Sequence, residues 1–261
     1  VKLHAILCWY DEPPTWLASC VASLSRIGVD HLIAVDGRYP HFSVGSPTNS
    51  RIDQVDTITS TAIGCGMSVT LHRLLEPVNE TEKRSLAFRL LNASAALDDW
   101  VIVIDADELI TDGDPFVKRE LAELDESILT AACRVTNAID PYARPETDND
   151  VSDKTLEIHQ KFNIPSEFQS AQSRLWRVMR DMRVEGTHYA YTGVDRDGVR
   201  WNLRPDIGGS GLGDMPRTEV ARLDSSLTIE HRKNHRTIER RDQKHAYYQL
   251  RDELGIERVA T

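Results

Sequence analysis

The residues best suited to chemistry are carboxylates, and they stand at the ends of apolar runs. Asp11-Glu12 follows Leu3–Trp9, Asp36-Gly37 follows His31–Val35, and Asp105-Ala106-Asp107-Glu108 follows Trp100–Ile104. One Asp after a strand is ordinary turn chemistry. Three acidic tips point to a shared site, because open parallel sheets bind ligands outside the carboxyl ends of their strands. Asp105 and Asp107 are two residues apart, which on an extended backbone sends both side chains to one face. Two hard oxygen donors there suit Mg2+ or Mn2+, ions that also bridge phosphate oxygens. The competing reading is a solvated turn with an Asp capping a helix; the five apolar residues before Asp105 weaken it.

Cationic groups form the second set. Asn79-Glu80-Thr81-Glu82 has the form of a capping box, with Asn79 as cap and Glu82 reaching back. Lys83 and Arg84 then lie in the first turn of a helix, where free N–H groups and positive charge together favour a diphosphate; a solvated helix face is the alternative. After Leu227-Thr228-Ile229 come Glu230-His231-Arg232 and the one strongly basic stretch of the chain, Arg232, Lys233, Arg236, Arg240, Arg241 and Lys244 against Glu239 and Asp242. Arg236 and Arg240 repel each other at i,i+4, which favours a phosphate ligand over a self-balanced helix. His188, in Gly186-Thr187-His188, is the candidate general base, since imidazole takes a proton near neutral pH; a structural histidine is its alternative. The series Arg174, Arg177, Arg180, Arg183 reads either as a surface for a polyanion or as an ordinary solvated face.

The elements that must position these groups alternate between strand and helix. Pro14 suits the first turn of a helix, and Trp16, Leu17, Cys20, Val21 and Leu24 follow at helical spacing up to Gly28. Ile52 to Ile63 repeats the pattern before Gly64 and Gly66, and Val69–His72 reads as a third strand. A helix from Asn79 to about Ala96 precedes Trp100–Ile104, an unbroken apolar run expected of a central strand buried on both faces. This alternation predicts an α/β fold with a mainly parallel sheet flanked by helices. Strands are expected at Ile128–Val135, Leu175–Met179 and Ser226–Ile229, and a helix over roughly Thr237–Leu254. Pro141–Glu157 reads as an acidic loop. Gly208–Gly213 follows no convincing strand and so is not a dinucleotide fingerprint.

Composition sets the outer limits. With 261 residues, 40% hydrophobic and 28% charged, the chain can bury a sizeable core. A net charge of −10 argues against a protein that coats nucleic acid or anionic membrane. Cys8, Cys20, Cys65 and Cys133 are scattered without a C-x-x-C pair, as expected of buried thiols in a reducing compartment. No stretch reaches the ~18 apolar residues of a membrane span. Leu3–Tyr10 is cut short by Asp11 and Glu12 and lacks a basic flank, unlike a secretory signal. A soluble, cytoplasmic protein is expected.

Taken in order, strand–Asp-Glu, strand–Asp-Gly, basic helix and apolar strand–Asp-x-Asp, the chain resembles the nucleotide-sugar half of GT-A fold glycosyltransferases, particularly family-two-like enzymes, including small stand-alone ones from bacteria and phages. The resemblance spans roughly residues 3–110 and patches beyond. Asn79-Glu80-x-x-Lys83-Arg84 is similar to a subgroup of them, and Arg174-Leu175-Trp176-Arg177 with Gly186-Thr187-His188 resembles their Arg-Leu-aromatic-Arg…Gly-x-His segment. Tyr189 departs from that pattern, where the subgroup often has Glu. The resemblance implies a nucleotide-sugar donor, a divalent metal and transfer of the sugar to an acceptor. Tyr10 and Asp11 would hold base and ribose, and Asp36 would receive a hydrogen bond from uracil, which favours a UDP-sugar. Asp105 would approach ribose and metal, Asp107 would bind Mn2+ or Mg2+ directly, and His231 would be a third metal ligand. Arg236 would belong to a tail folding over the leaving diphosphate.

The same resemblance implies a nucleotide-sugar-binding half over residues 1–125 and an acceptor half over 126–261, within one continuous domain. Tyr189, Tyr191 and Trp201 would help shape the acceptor site. The acceptor itself, whether saccharide, small metabolite, protein or modified DNA base, is left open. Two other classes compete. Aspartyl-phosphate phosphatases and phosphomutases also place Asp-x-Asp after an apolar strand, but Glu108 stands where they usually have Thr or Val. A non-catalytic nucleotide-sugar-binding module would show binding without turnover. Nucleotidyltransferases need a basic Gly-rich loop after the first strand, where this chain has Cys8-Trp9-Tyr10-Asp11-Glu12.

Overall fold

The computed structural model describes residues 1–40, 42, 45–137, 169–185, 190–203, 215–223 and 227–232. Strand and helix alternate through the first hundred residues: Leu3–Trp9 (β1), Pro14–Leu24 (α1), His31–Asp36 (β2), Ile52–Gly64 (α2), Ser68–Arg73 (β3), Glu80–Ser94 (α3) and Trp100–Asp105 (β4). Each lies where apolar spacing and breaker residues predict it. Pro14 opens α1 at the position where a missing N–H costs nothing. At α3 both halves of the capping box form, Asn79 accepting from the Glu82 N–H and Glu82 from the Asn79 N–H, a cap worth about 1 kcal/mol.

The chain continues through Glu108–Gly113 (β5), Phe116–Glu123 (α4), Thr130–Asn137 (β6), Gln169–Arg177 (β7), Arg180–Glu185 (β8), Ala190–Val194 (β9), Arg200–Asn202 (β10), Val220–Arg222 (β11) and Leu227–His231 (β12). The large sheet runs β3-β2-β1-β4-β7-β6-β12-β5, with β11 also paired to β6. Its β3-β2-β1-β4 half is wholly parallel, whereas β7 is antiparallel to both β4 and β6, and β5 to β12. The result is the expected α/β architecture, a large, mostly parallel sheet flanked by helices. Three expected strands have shifted bounds: β6 begins two residues later than read, β7 runs from Gln169 and stops at Arg177, and β12 ends at His231. The acidic loop, the Gly208–Gly213 loop and the C-terminal helix lie outside the described residues.

Alternation along the central strands builds one core on each face of the sheet. Leu3, Ala5, Leu7 and Trp9, with Trp100, Ile102 and Ile104, pack against Leu17, Val21 and Leu24 of α1 and Ile58 and Ala62 of α2. Ile6, Cys8, Ile33, Val35, Val101 and Val103 face the other way, onto Ala87, Phe88 and Leu91 of α3. A small antiparallel sheet, β10-β9-β8, covers the far side of α3 through Met182, Val184 and Tyr191. Lys83 is buried against the carboxyl ends of β1 and β2, and Arg84 between Asp105 of β4 and Tyr191 of β9. Among the described residues no helix is long and apolar enough to cross a membrane.

Candidate functional site

Strand register gathers the acidic tips. Trp9 is paired with Asp36 across β1 and β2, and Cys8 with Asp105 across β1 and β4, so all three strands end at one edge of the sheet. Asp11 leaves β1 in the left-handed region, with φ 48°, a conformation that short polar side chains tolerate. Its N–H donates to Ser50 Oγ at 2.9 Å and its carboxylate accepts from Gln54 at 3.1 Å. Tyr10 is buried, donates its hydroxyl to Pro47 O and meets Phe42 edge-on at 4.7 Å. Asp36 is fully buried. It accepts from the Ser50 N–H, from Ser50 Oγ at 2.6 Å and from Arg73 Nε at 3.2 Å, and Arg73 also donates to Ser50 O. Its carboxylate therefore fastens the segment before α2 to β2 and β3. Gly37 follows because the backbone passes hard against Leu74: a Cβ there would lie 2.6 Å from Leu74 Cδ1.

The cations of α3 face inward rather than toward solvent. The Lys83 ammonium donates to Trp9 O at 2.5 Å and Gly37 O at 2.6 Å, and stands 4.0 Å from the centre of the Tyr39 ring. It ties the carboxyl ends of β1 and β2 together. Arg84 donates to Asp105 Oδ1 at 2.5 Å, Glu80 Oε1 at 2.8 Å and the Tyr191 hydroxyl at 2.7 Å. Burial opposes its charge, but Asp105, Tyr191 and Glu80 together raise its pKa well above the usual arginine value.

Lys83 carries a pH prediction. Burial lowers its pKa to about 8, against the upward pull of Cys8, Asp36, Glu80 and Glu12. The unfolded chain then binds the extra proton between about pH 8 and the ordinary value of 10.5, so this group's contribution to stability rises with pH across that window. Urea unfolding at pH 7.5 and pH 10 should show the wild type gaining on Lys83→Met at the higher pH. A difference between the two proteins that is flat in pH would contradict the buried ammonium.

Asp105 and Asp107 do not share an extended segment. The chain turns at Ala106-Asp107 between β4 and β5, and the two carboxylates reach different partners. The Asp105 side chain is 32% exposed beside Arg84, whereas that of Asp107 is 1% exposed and meets His231, Oδ2 to Nε2 at 3.2 Å. The antiparallel pairing of β12 with β5 sets His231 opposite Glu108, and the Arg232 N–H donates to Asp107 O at 2.7 Å. Burial lowers the pKa of His231, but the hydrogen bond it donates to Asp107 and the charges of Asp107, Glu108 and Asp105 prevail and raise it.

Beneath the turn Glu108 is buried. It accepts from the Asp105 N–H at 2.9 Å and from Arg174 at 2.5 Å. Burial raises its pKa, opposed first by Arg174. Among the described residues no three His, Cys, Asp or Glu side chains form a group able to hold a metal. The expected triad of Asp105, Asp107 and His231 is thus present as a close pair plus a carboxylate turned to Arg84. Two metal ligands at right angles on bonds of about 2.1 Å would stand about 3 Å apart, close to the 3.2 Å of the hydrogen-bonded Asp107–His231 pair, and carboxylate oxygen is a donor that suits Mg2+ or Mn2+.

Several structural partners carried no signal in the sequence reading. Ser50 and Arg73 are joined to Asp36 over separations of 14 and 37 residues, beyond any local pattern, and Tyr191, expected to help shape the acceptor site, is buried and accepts from Arg84. Glu80 had one, its i,i+4 spacing to Arg84. The arginine series forms no basic face. Arg174 is paired with Glu108, Arg177 donates to the carbonyls of Leu124, Asp125 and Ile128, and Arg183 pairs with Asp181 and Glu185. His188, Tyr189 and Arg236 lie outside the described residues.

No family model matches the chain, and no curated protein matches it. Solved structures that it resembles include a mannosyltransferase, PcManGT, from Pyrobaculum calidifontis in complex with GDP-mannose and Mn2+, at 15% identity and TM-score 0.37, covering 57% of this chain. The chain spans only 38% of that protein's length. A mannose-6-phosphate isomerase from Helicobacter pylori matches at 14% identity and TM-score 0.38, over 68% of this chain and 72% of that one. A UDP-glucose pyrophosphorylase complexed with UDP-glucose matches at 12% identity and TM-score 0.30, over 54% and 59%. Likenesses this distant assign no activity.

Proposed function

We propose that the chain is a metal-dependent glycosyltransferase of the GT-A type that moves a sugar from a nucleotide sugar, a UDP-sugar by preference, to an acceptor. The observation that carries this reading is the Asp107–His231 pair, 3.2 Å apart across 124 residues of sequence, beside Asp105 at the carboxyl edge of the parallel sheet. Asp107 and His231, with Asp105, would hold Mn2+ or Mg2+. The ion would supply positive charge to the leaving diphosphate, the group on which charge develops when a sugar–phosphate bond breaks. Lys83 and Arg84 act in this reading as positioning groups, Lys83 on the strand ends and Arg84 on Asp105, and diphosphate contacts fall to Arg236. Tyr10 and Asp11 would hold base and ribose. His188 is the acceptor base on the grounds of its sequence segment. Residues 1–125 would bind the donor and 126–261 the acceptor.

Asp36 is engaged by Ser50 and Arg73, so the UDP preference rests on the resemblance alone. The test is therefore a panel of UDP- and GDP-sugars in thermal unfolding, with and without Mn2+, followed by nucleotide release. A UDP-sugar with Mn2+ should raise the melting temperature by several degrees, as expected for a ligand well above its Kd, and should release UDP on incubation. Binding without release would favour the non-catalytic module. No shift with any nucleotide sugar, or phosphate release from simple phosphomonoesters, would overturn the proposal.

A further inference from the structure

A cavity of about 280 Å3 lies at the amino end of β4, the opposite end of the sheet from Asp105, lined by residues from four separate connections. Its floor is apolar, with Leu129, Val178 and Met179 buried beneath it. The indole of Trp201 closes one side and is held in place: its N–H donates to Asp195 Oδ2 at 2.7 Å, while Asp195 Oδ1 accepts from the N–H groups of Asp197 and Val199. Opposite, Asp98 stands in the left-handed region, with φ 78°, and is ion-paired to Arg196. Arg177 is fixed by three backbone carbonyls with its guanidinium 5.1 Å from the Trp100 ring, and Glu126 stands exposed at the rim.

The charges around the cavity decide what it can take. Four carboxylates, Asp98, Glu126, Asp195 and Asp197, face two guanidinium groups, Arg177 and Arg196. The net negative rim repels an anion, and the Arg177 guanidinium, held by three backbone carbonyls, opposes an organic cation. A neutral polyhydroxylated ring satisfies both kinds of lining, since each hydroxyl donates to a carboxylate and accepts from a guanidinium, and its C–H surface covers the indole and the apolar floor. We infer that this cavity is a binding site for a neutral saccharide of one or two rings. The inference does not rest on the proposed transferase activity and concerns a different end of the sheet.

The test is saturation-transfer NMR on the whole chain, with methyl glycosides of glucose, galactose, mannose and N-acetylglucosamine. At least one glycoside should receive saturation from the wild type. Trp201→Ala should weaken that binding about tenfold, the scale of one lost aromatic contact. Glu126→Arg, a change on the exposed rim that leaves the core untouched, should weaken it as well. Asp107→Ala should leave it unchanged. The inference is overturned if no glycoside binds, if the rim variant binds as the wild type does, or if Asp107→Ala abolishes the signal, which would locate the sugar at the other site. It is equally overturned if inorganic phosphate or spermidine displaces the glycoside.

Discussion

Replacing Asp107 with alanine should lower metal-dependent turnover of a nucleotide sugar by about a thousandfold or more, the scale of removing a principal electrostatic stabiliser from a reaction centre. The chain should still fold. The Asp107 backbone carbonyl keeps its hydrogen bond from the Arg232 N–H, so the join between the β4–β5 turn and the end of β12 survives the substitution. The side-chain contact with His231 is lost, at an expected cost of about 1–3 kcal/mol for the partner left behind. Nucleotide release with Mn2+, measured beside a thermal melt, separates the two effects. Asp105→Asn provides the contrast, because an amide oxygen in place of Oδ1 still accepts from Arg84 while the formal charge is gone; its loss should be smaller. Full turnover by Asp107→Ala in a folded protein would remove Asp107 from the chemistry and the metal with it.

Much of the scaffold around this pair can be read from local pattern, and the reasons are physical. β1, β2 and β4 are continuous apolar runs ended by acidic breakers, and α3 announces itself through Asn79 and Glu82. The parallel order of those strands follows from the helices between them and puts the acidic tips at one edge. The turn at Ala106-Asp107 was not legible. β5 starts immediately after it as Glu-Leu-Ile-Thr-Asp-Gly, too polar to stand out, and is fixed by pairing with β12 more than a hundred residues away. β8 was within reach: Arg180-Asp181-Met182-Arg183-Val184-Glu185 buries Met182 and Val184 at a period of two, a pattern hidden by its charges. Long-range packing also accounts for Lys83 and Arg84. On an isolated helix both belong to a solvated face; once α3 docks on the ends of β1, β2 and β4 and Tyr191 of β9 closes on Arg84, they are interior groups that need the partners they find. Asp36 was read from its place at a strand end, and nothing local indicated that Ser50 and Arg73 would occupy it.

Arg174 is the residue whose loss should most damage the fold. It lies 66 residues from Glu108, and their side chains meet at 2.5 Å, with Glu108 shut off from solvent and Arg174 nearly so. Removing one partner of a buried ion pair leaves an uncompensated charge and costs about 3–5 kcal/mol. For a chain of this size that corresponds to a fall in melting temperature on the order of 10 °C. The damage should spread to function, because the other oxygen of Glu108 accepts the Asp105 N–H and so fixes the turn from which Asp107 projects. Arg174→Lys should not rescue it, since a point charge on a flexible stem does not replace the planar guanidinium. The double variant Arg174→Met/Glu108→Gln should recover most of the stability, because it removes both buried charges at once. It should recover little turnover, as a glutamine without Arg174 has no fixed orientation beneath the turn. Melting curves and nucleotide release on the three variants give the comparison. An Arg174→Ala protein melting within about 2 °C of the wild type, about 0.5–1 kcal/mol at this chain length, would mean that the turn is held without the pair.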